Sequence, residues 1–174
     1  AMFSEFAYDT MRLAHEAGLK NVWDSNGFWS RELFEMIAPY LDAVNIDIKS
    51  FSEKFYKENC NAALQPVLDT CQRLKDAGIW LEVSTLIIPD QNDQTPMLTS
   101  LASYIKTDLG AQTPWHILAF DPAVSWKLEN SSTPKTAGLL DIAALGKKSG
   151  LQYVYLPKQK AELVNDTLCP KCQD

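Results

Sequence analysis

The chain has 174 residues, 46% of them hydrophobic and 22% charged, which is enough for one domain with a real core and an ordinary globular composition. A net charge of −6 and a pI near 4.9 argue against nucleic acid as the main partner, because a basic patch is its usual electrostatic footprint. No apolar run is long enough to span a bilayer, no secretory leader pattern is present, and the four cysteines do not make an oxidised framework, so a cytoplasmic protein without a membrane partner is expected.

Helix and strand alternate along the chain. Residues 4–17 predict a helix carrying Phe6, Leu13 and Ala17, closed by Gly18. Residues 20–24 predict a short strand that ends in the turn Ser25-Asn26-Gly27. Ser30 is placed to cap a helix over 31–38, with Leu33 where a capping box would need an acid or amide. A strand over 43–49 follows, then a short helix opened by Ser52 and a longer one over about 63–77, ended by Gly78. Residues 79–88 have the strongest β-propensity in the chain. Beyond the loop at Pro89–Asp93 come a helix over 95–107, a strand over 115–120, a polar loop over 121–133, a helix over 134–148 and a strand over 152–156. Residues 1–156 therefore form one βα unit, and 157–174 are expected to be an irregular tail carrying Cys169-Pro-Lys-Cys172.

Successive strands lie about 23 to 37 residues apart, as in βα units with right-handed crossovers. The fold class that follows is α/β: a partial (β/α) barrel with a parallel sheet of about five strands flanked by helices. A closed eight-stranded barrel takes about 250 residues. A βα array that opens on its helix reads as the later portion of a larger unit.

The stretch Ala43-Val-Asn-Ile-Asp-Ile-Lys49 is the most informative. Val44, Ile46 and Ile48 alternate with Asn45, Asp47 and Lys49, so one file of a strand inside a βα array is wholly polar. Buried ions cost several kcal/mol each unless paired or bound to a ligand, so the polar file points to a site. A partly solvated edge strand, or an Asp–Lys pair that satisfies itself, is the alternative. Ligands in βα folds sit at the C-terminal ends of strands, which selects Asp24, Ser25, Asp47 and Lys49, then Pro89 with Asp90, and Asp121. Asp24 and Asp47 offer oxygen donors suited to a hard cation; Asp24 in Asp-Ser-Asn-Gly also reads as a plain turn residue. Glu82, in the middle of an apolar strand, needs a partner, and Lys49 is the expected one. His116, at the start of its strand, reads as a satisfied core histidine at the end away from the site; Trp23, Trp80 and Trp115 read as core. Cys169 and Cys172 have the spacing of half a zinc site.

Taken together, Trp23 with Asp24-Ser25-Asn26-Gly27, Ile37-Ala-Pro-Tyr-Leu-Asp-Ala43, Asn45-Ile-Asp-Ile-Lys49, Leu86-Ile-Ile-Pro-Asp-Gln-Asn-Asp93, Pro114-Trp115-His116 and the Cys-Pro-x-Cys tail resemble one family. It is that of the radical S-adenosylmethionine (SAM) enzymes of the pyruvate formate-lyase activating type, above all their AmmeMemoRadiSam-system subgroup. The resemblance covers the C-terminal portion of such enzymes. It implies a parent activity of reductive SAM cleavage by a 4Fe–4S cluster and hydrogen abstraction from a protein or small substrate. It also implies that Asp24, Ser25 and Asp47, near the Asn45 carbonyl, help to hold a monovalent cation beside the SAM carboxylate, with Lys49 in the same site. The family's Cys-x3-Cys-x2-Cys loop and Gly-Gly-Glu strand end are absent from these residues, so no cluster is expected on this chain and the chain alone is expected to be inactive. Asp121 stands near the place of a histidine in the activating enzymes. A non-catalytic βα interaction domain, or a lyase-type barrel fragment using Lys49 as a Schiff-base amine, are the competing readings. A homodimer through the open edge at helix 4–17 and segment 20–27 is a further expectation.

Overall fold

The computed structural model describes residues 3–125 and 127–157, together with Thr167, Cys169 and Cys172. Five parallel strands pair in chain order: β1 (Val22–Ser25), β2 (Ala43–Asp47), β3 (Trp80–Ile87), β4 (Trp115–Ala119) and β5 (Val154–Tyr155). Between them lie α2 (Arg31–Ile37), the short α3 (Glu53–Phe55), α4 (Gln65–Asp76), α5 (Thr95–Tyr104) and α6 (Thr136–Lys148), with α1 (Ser4–Glu16) ahead of β1. Each strand pairs with the next one in sequence. Repeated right-handed crossovers in one direction therefore leave the helices on a single face of the sheet, the arrangement of a partial (β/α) barrel.

The alternation of strand residues decides which face is which. Val44, Ile46, Leu81, Val83, Thr85, Ile87, Trp115 and Ile117 turn to the helices and are buried. Their core also takes in Ile37, Leu74, Leu101, Ile105 and Leu139. The other file carries Asp24, Asn45, Asp47, Glu82, Ser84, Leu86, His116 and Leu118, and the cross-strand pairing keeps these residues on one inner face.

Local chemistry sets the element ends. The Ser30 hydroxyl accepts the Leu33 N–H at 3.1 Å and starts α2. Ser52 caps α3, which runs on as a wider π turn over Tyr56–Cys60 and stops at left-handed Asn61. The Glu53 carboxylate accepts N–H groups from Leu64 and Gln65 at the start of α4. The helix expected over 95–107 continues as a π turn over Ile105–Gly110, which places both Ile105 and Leu109 in the core. The polar loop after β4 contains a 3-10 turn over Pro122–Val124, capped by Asp121 through the Ala123 N–H at 3.0 Å.

Several placements differ from expectation: β2 stops at Asp47, so Lys49 lies beyond the strand expected over 43–49, and β5 covers only Val154–Tyr155 of the expected 152–156. Trp80 is 55% exposed, because it lies on the inner file at the start of β3 rather than in the core. β1 starts two residues later than expected and ends at Ser25. It is an edge strand of the described sheet; Val22 on it, Leu19 just before it, and Phe3, Phe6 and Leu13 at and within α1 are exposed.

Gly27 turns the chain at the end of β1 with φ of +71°, and a Cβ there would lie 2.9 Å from Ile46 and 3.1 Å from Val67. Gly18 has a similar φ of +76° with open space around it. Gly27→Ala should therefore cost about 2–4 kcal/mol, combining left-handed strain with overpacking, and Gly18→Ala about 1 kcal/mol. Urea denaturation of both variants checks this; equal losses would show that the Ile46 contact carries no weight.

Candidate functional site

The site is built where β1 and β2 end. Asp24 lies beside Asn45 in the β1–β2 pairing, and Asp47 follows one step further along the same face. Asp24, Ser25, Asn26, Phe28, Lys49 and Cys60 line a cleft of about 760 Å³ at these strand ends. Lys49 leaves β2 and turns back so that its ammonium pairs with Asp47 Oδ2. Asp47 Oδ1 and Asn45 Oδ1 are buried and have no hydrogen-bond partner. An acceptor in that state carries a desolvation cost of about 1–3 kcal/mol, which a bound donor would remove.

The expected residues divide in what they do. Asp24 is exposed at the cleft and close in register to Asn45. The Ser25 hydroxyl accepts the Trp29 indole N–H at 2.9 Å and the Gly27 N–H at 3.3 Å, so its acceptor capacity shapes the turn and its proton is left for a ligand or a further acceptor. Cys60 lines the cleft, where burial pushes its thiol up; Cys71 lies in α4 and burial pushes it up to about 12. Both thiols are therefore poor thiolates near neutral pH. Cys169 and Cys172 are not in a disulfide, and among the described residues no group of three or more His, Cys, Asp or Glu could hold a metal ion.

Glu82 does not pair with Lys49. Its Oε2 meets His116 Nε2 at 2.6 Å and its Oε1 accepts the Trp80 indole N–H at 3.0 Å. Nor is His116 at the far end of the sheet. Asp47, the last residue of β2, lies beside Ser84, which lies beside His116, the second residue of β4. The strands are staggered, as barrel shear requires, so the end of β2 is level with the start of β4. Position within a single strand cannot reveal that stagger.

Asn92 is the residue that the sequence left without a role. It is fully buried; its Oδ1 accepts the Ile88 N–H at 2.7 Å, and its Nδ2 donates to the carbonyls of Lys49 at 2.6 Å and Leu86 at 2.8 Å. Lys49 N–H in turn donates to the Tyr56 hydroxyl at 3.2 Å. The backbone of Lys49 is thus fixed on both sides by side chains from other elements. An amide following Ile-Pro-Asp at the end of an apolar strand was the available signal.

A sequence profile of the Radical SAM superfamily matches residues 1–100. The chain belongs to the radical SAM superfamily. An uncharacterized protein of Methanocaldococcus jannaschii is 38% identical over 172 residues, which is 98% of this chain and 50% of that protein. The radical SAM chain thus spans half the length of that curated relative. Among solved structures, a domain of a pyruvate-formate lyase-activating enzyme from Bacteroides vulgatus superposes with a TM-score of 0.77 at 14% identity, over 90% of this chain and 92% of that one. A radical SAM methyltransferase from Sphaerobacter thermophilus gives 0.67 at 12% identity, over 84% of this chain and 44% of that one. At such identities the likeness speaks for the fold: a parallel five-stranded α/β partial barrel.

Asn92→Ala should cost about 2–4 kcal/mol, because it strands one buried donor and two buried acceptors at once. Asn92→Asp should be no better, since it turns a carboxylate toward two carbonyl oxygens. Urea unfolding of the two variants checks both, and a loss under about 1 kcal/mol would mean that the strand ends are held by other contacts.

Proposed function

We propose that this chain supplies the SAM-holding part of a radical SAM enzyme of the activating type. The observation that supports it most is that two buried acceptors of β2, Asn45 Oδ1 and Asp47 Oδ1, have no protein donor, while the other Asp47 oxygen holds the Lys49 ammonium. SAM offers complementary groups: an α-ammonium whose N–H groups suit the acceptors and a carboxylate for Lys49. Asp24 and Asp47, on adjacent strands, are the oxygen donors for a monovalent cation beside that carboxylate. When bound and reductively cleaved by a 4Fe–4S cluster, SAM supplies hydrogen-atom abstraction. The chain's own residues hold and orient: Asp47 fixes Lys49, Asn92 fixes the Lys49 backbone, and Ser25 shapes the turn that carries Asp24.

The described residues do not fit the cluster, since no three thiolates come together, and no step is assigned through it. In this reading the cluster belongs to residues of a longer protein, and the 174-residue chain is silent by itself.

Calorimetric titration with SAM and with S-adenosylhomocysteine tests the cofactor site. Binding should weaken about tenfold or more, ~1.4 kcal/mol, in both Asp47→Asn and Lys49→Met. No binding at roughly 1 mM ligand, or binding indifferent to both changes, would overturn the reading. Anaerobic reconstitution with iron and sulfide should leave the chain colourless; a brown protein with about four irons per chain would refute its silence.

We also infer that the chain forms a twofold dimer through the open edge of β1 and the apolar face of α1. An edge that pairs with no further strand among the described residues, with exposed Val22 on it and exposed Phe6 and Leu13 on the preceding helix, is a template for pairing. Light scattering at tens of micromolar should give twice the 19.5 kDa chain mass, and Phe6→Glu should lower it. A wild-type monomer would rule the dimer out.

A further inference from the structure

The inner face carries a second constellation, over β3 and β4, that the cofactor site does not use. Glu82 and His116 approach to 2.6 Å, and their side chains are 33% and 29% exposed. The carboxylate is held at both oxygens, by the imidazole and by the Trp80 indole N–H. The imidazole is held on its face as well, stacked on Tyr155 with ring centroids 5.1 Å apart and 24° between planes. The Tyr155 hydroxyl is tied in turn to the Thr167 hydroxyl at 2.6 Å.

This arrangement fixes the tautomer. An ionised carboxylate only accepts hydrogen bonds, so in the neutral ring Nε2 carries the proton and Nδ1 keeps its lone pair. A carboxylate that orients an imidazole in this way makes the opposite nitrogen a proton acceptor, and the imidazolium that forms is stabilised in place. The titratable groups around His116 on the strands are Glu82, Tyr155 and, across Ser84, Asp47 with Lys49.

We propose that Glu82 and His116 are the acid–base dyad of the substrate side of this face, with His116 Nδ1 accepting an N–H or O–H donor of the substrate. The row Asp47, Ser84, His116, Tyr155 crosses the sheet in register. At about 4.8 Å between strands, His116 lies roughly 10 Å from Asp47. That separation leaves room for a second molecule beside one held at Asp24, Asp47 and Lys49. The substrate assignment rests on the proposed cofactor position; the chemistry of the dyad does not. The substrate class that fits is a donor-bearing molecule, an amide, alcohol or amine, presented edge-on to the imidazole.

The test uses the whole chain, whose only other histidine is His15. Long-range proton–nitrogen NMR on labelled protein should show neutral His116 as the Nε2–H tautomer. A wild-type Nδ1–H tautomer would overturn the proposal without any variant. In Glu82→Gln the amide oxygen stays on the Trp80 N–H, so the amide NH2 faces Nε2 and the tautomer should flip to Nδ1–H. Carbethoxylation by diethyl pyrocarbonate, read by mass spectrometry, should modify His116 in the wild type, with exposed His15 as the internal reference. It should slow about tenfold at His116 in Glu82→Gln, as expected when the accepting nitrogen is lost. Inert wild-type His116 beside reactive His15 would show that Nδ1 is closed. Both readouts need no cofactor, so a failure of SAM to bind leaves them standing. Adding saturating S-adenosylhomocysteine should leave the His116 rate unchanged; protection would place the dyad under the cofactor and overturn its substrate role.

Discussion

Everything on the inner face depends on the register of one parallel sheet. Val44 and Ile46 on β2, with Ile48 just beyond it, are each worth about 1.5–3 kcal/mol when buried against the helices. A slip of one residue would expose all three and push Asn45 and Asp47 into the core. The apolar file therefore locks the strand, and the polar file is carried along to the open side. The neighbouring strands repeat the choice, with Leu81, Val83, Thr85 and Ile87 outward and Glu82, Ser84 and Leu86 inward. The site is in this sense a by-product of core packing.

Register places side chains across the sheet, but the strand ends need separate support, because ladder hydrogen bonds stop there. Ile48 N–H still reaches the Ser84 carbonyl at 2.9 Å. Beyond it the backbone is held by side chains: Tyr56 and Asn92 at Lys49, and the Met97 sulfur at the Phe51 N–H, 3.2 Å away. These come from three different elements, so the position of the Lys49 ammonium integrates β2, β3, the π turn after α3 and the start of α5. Sites supported by packed elements hold geometry better than sites on free loops. Lys127 adds a strap from the loop after β4 by donating to the Glu58 carbonyl at 3.1 Å.

The order and type of the elements were legible in the sequence, since two-residue and helical periods are local signals. The Asp47–Lys49 pair corresponds to the alternative reading of the polar file rather than to the expected Glu82–Lys49 pair: β2 ends at Asp47, and Lys49 turns back onto it from beyond the strand. What could not be read was anything fixed by stagger. Glu82 was rightly seen to need a partner. Naming it required knowing that β4 starts level with the end of β2, a property of the whole sheet. Trp80 was misplaced in the core because aromatic residues are usually buried, while its indole is the second donor to that same carboxylate. Asn92 lies within the stretch Leu86–Asp93, yet its three hydrogen bonds run to residues as far as 43 positions away. The resemblance to radical SAM enzymes reached the superfamily, because the order and spacing of several short motifs are more specific than any one of them.

Charge on the inner face constrains what can sit there. Asp24, Asp47 and Glu82 bring three carboxyl groups to this face, and Lys49 brings one amine. Glu82 spends its acceptors on Trp80 and His116, and Asp47 spends one oxygen on Lys49. The carboxylate and amide oxygens left over on Asp24, Asn45 and Asp47 lie at the β1–β2 end. At effective dielectric constants near 20, a unit charge about 4 Å from one carboxylate gains about 4 kcal/mol in Coulomb energy before its own desolvation is counted. A cationic, donor-bearing occupant is favoured at that end, and an anion alone is not. Over β3 and β4 the balance differs, because both Glu82 oxygens are already matched by ring nitrogens of Trp80 and His116. With the dyad proposed for Glu82 and His116, one sheet presents a cation-seeking end and a proton-accepting end roughly 10 Å apart, two strand spacings, which leaves room for two molecules side by side.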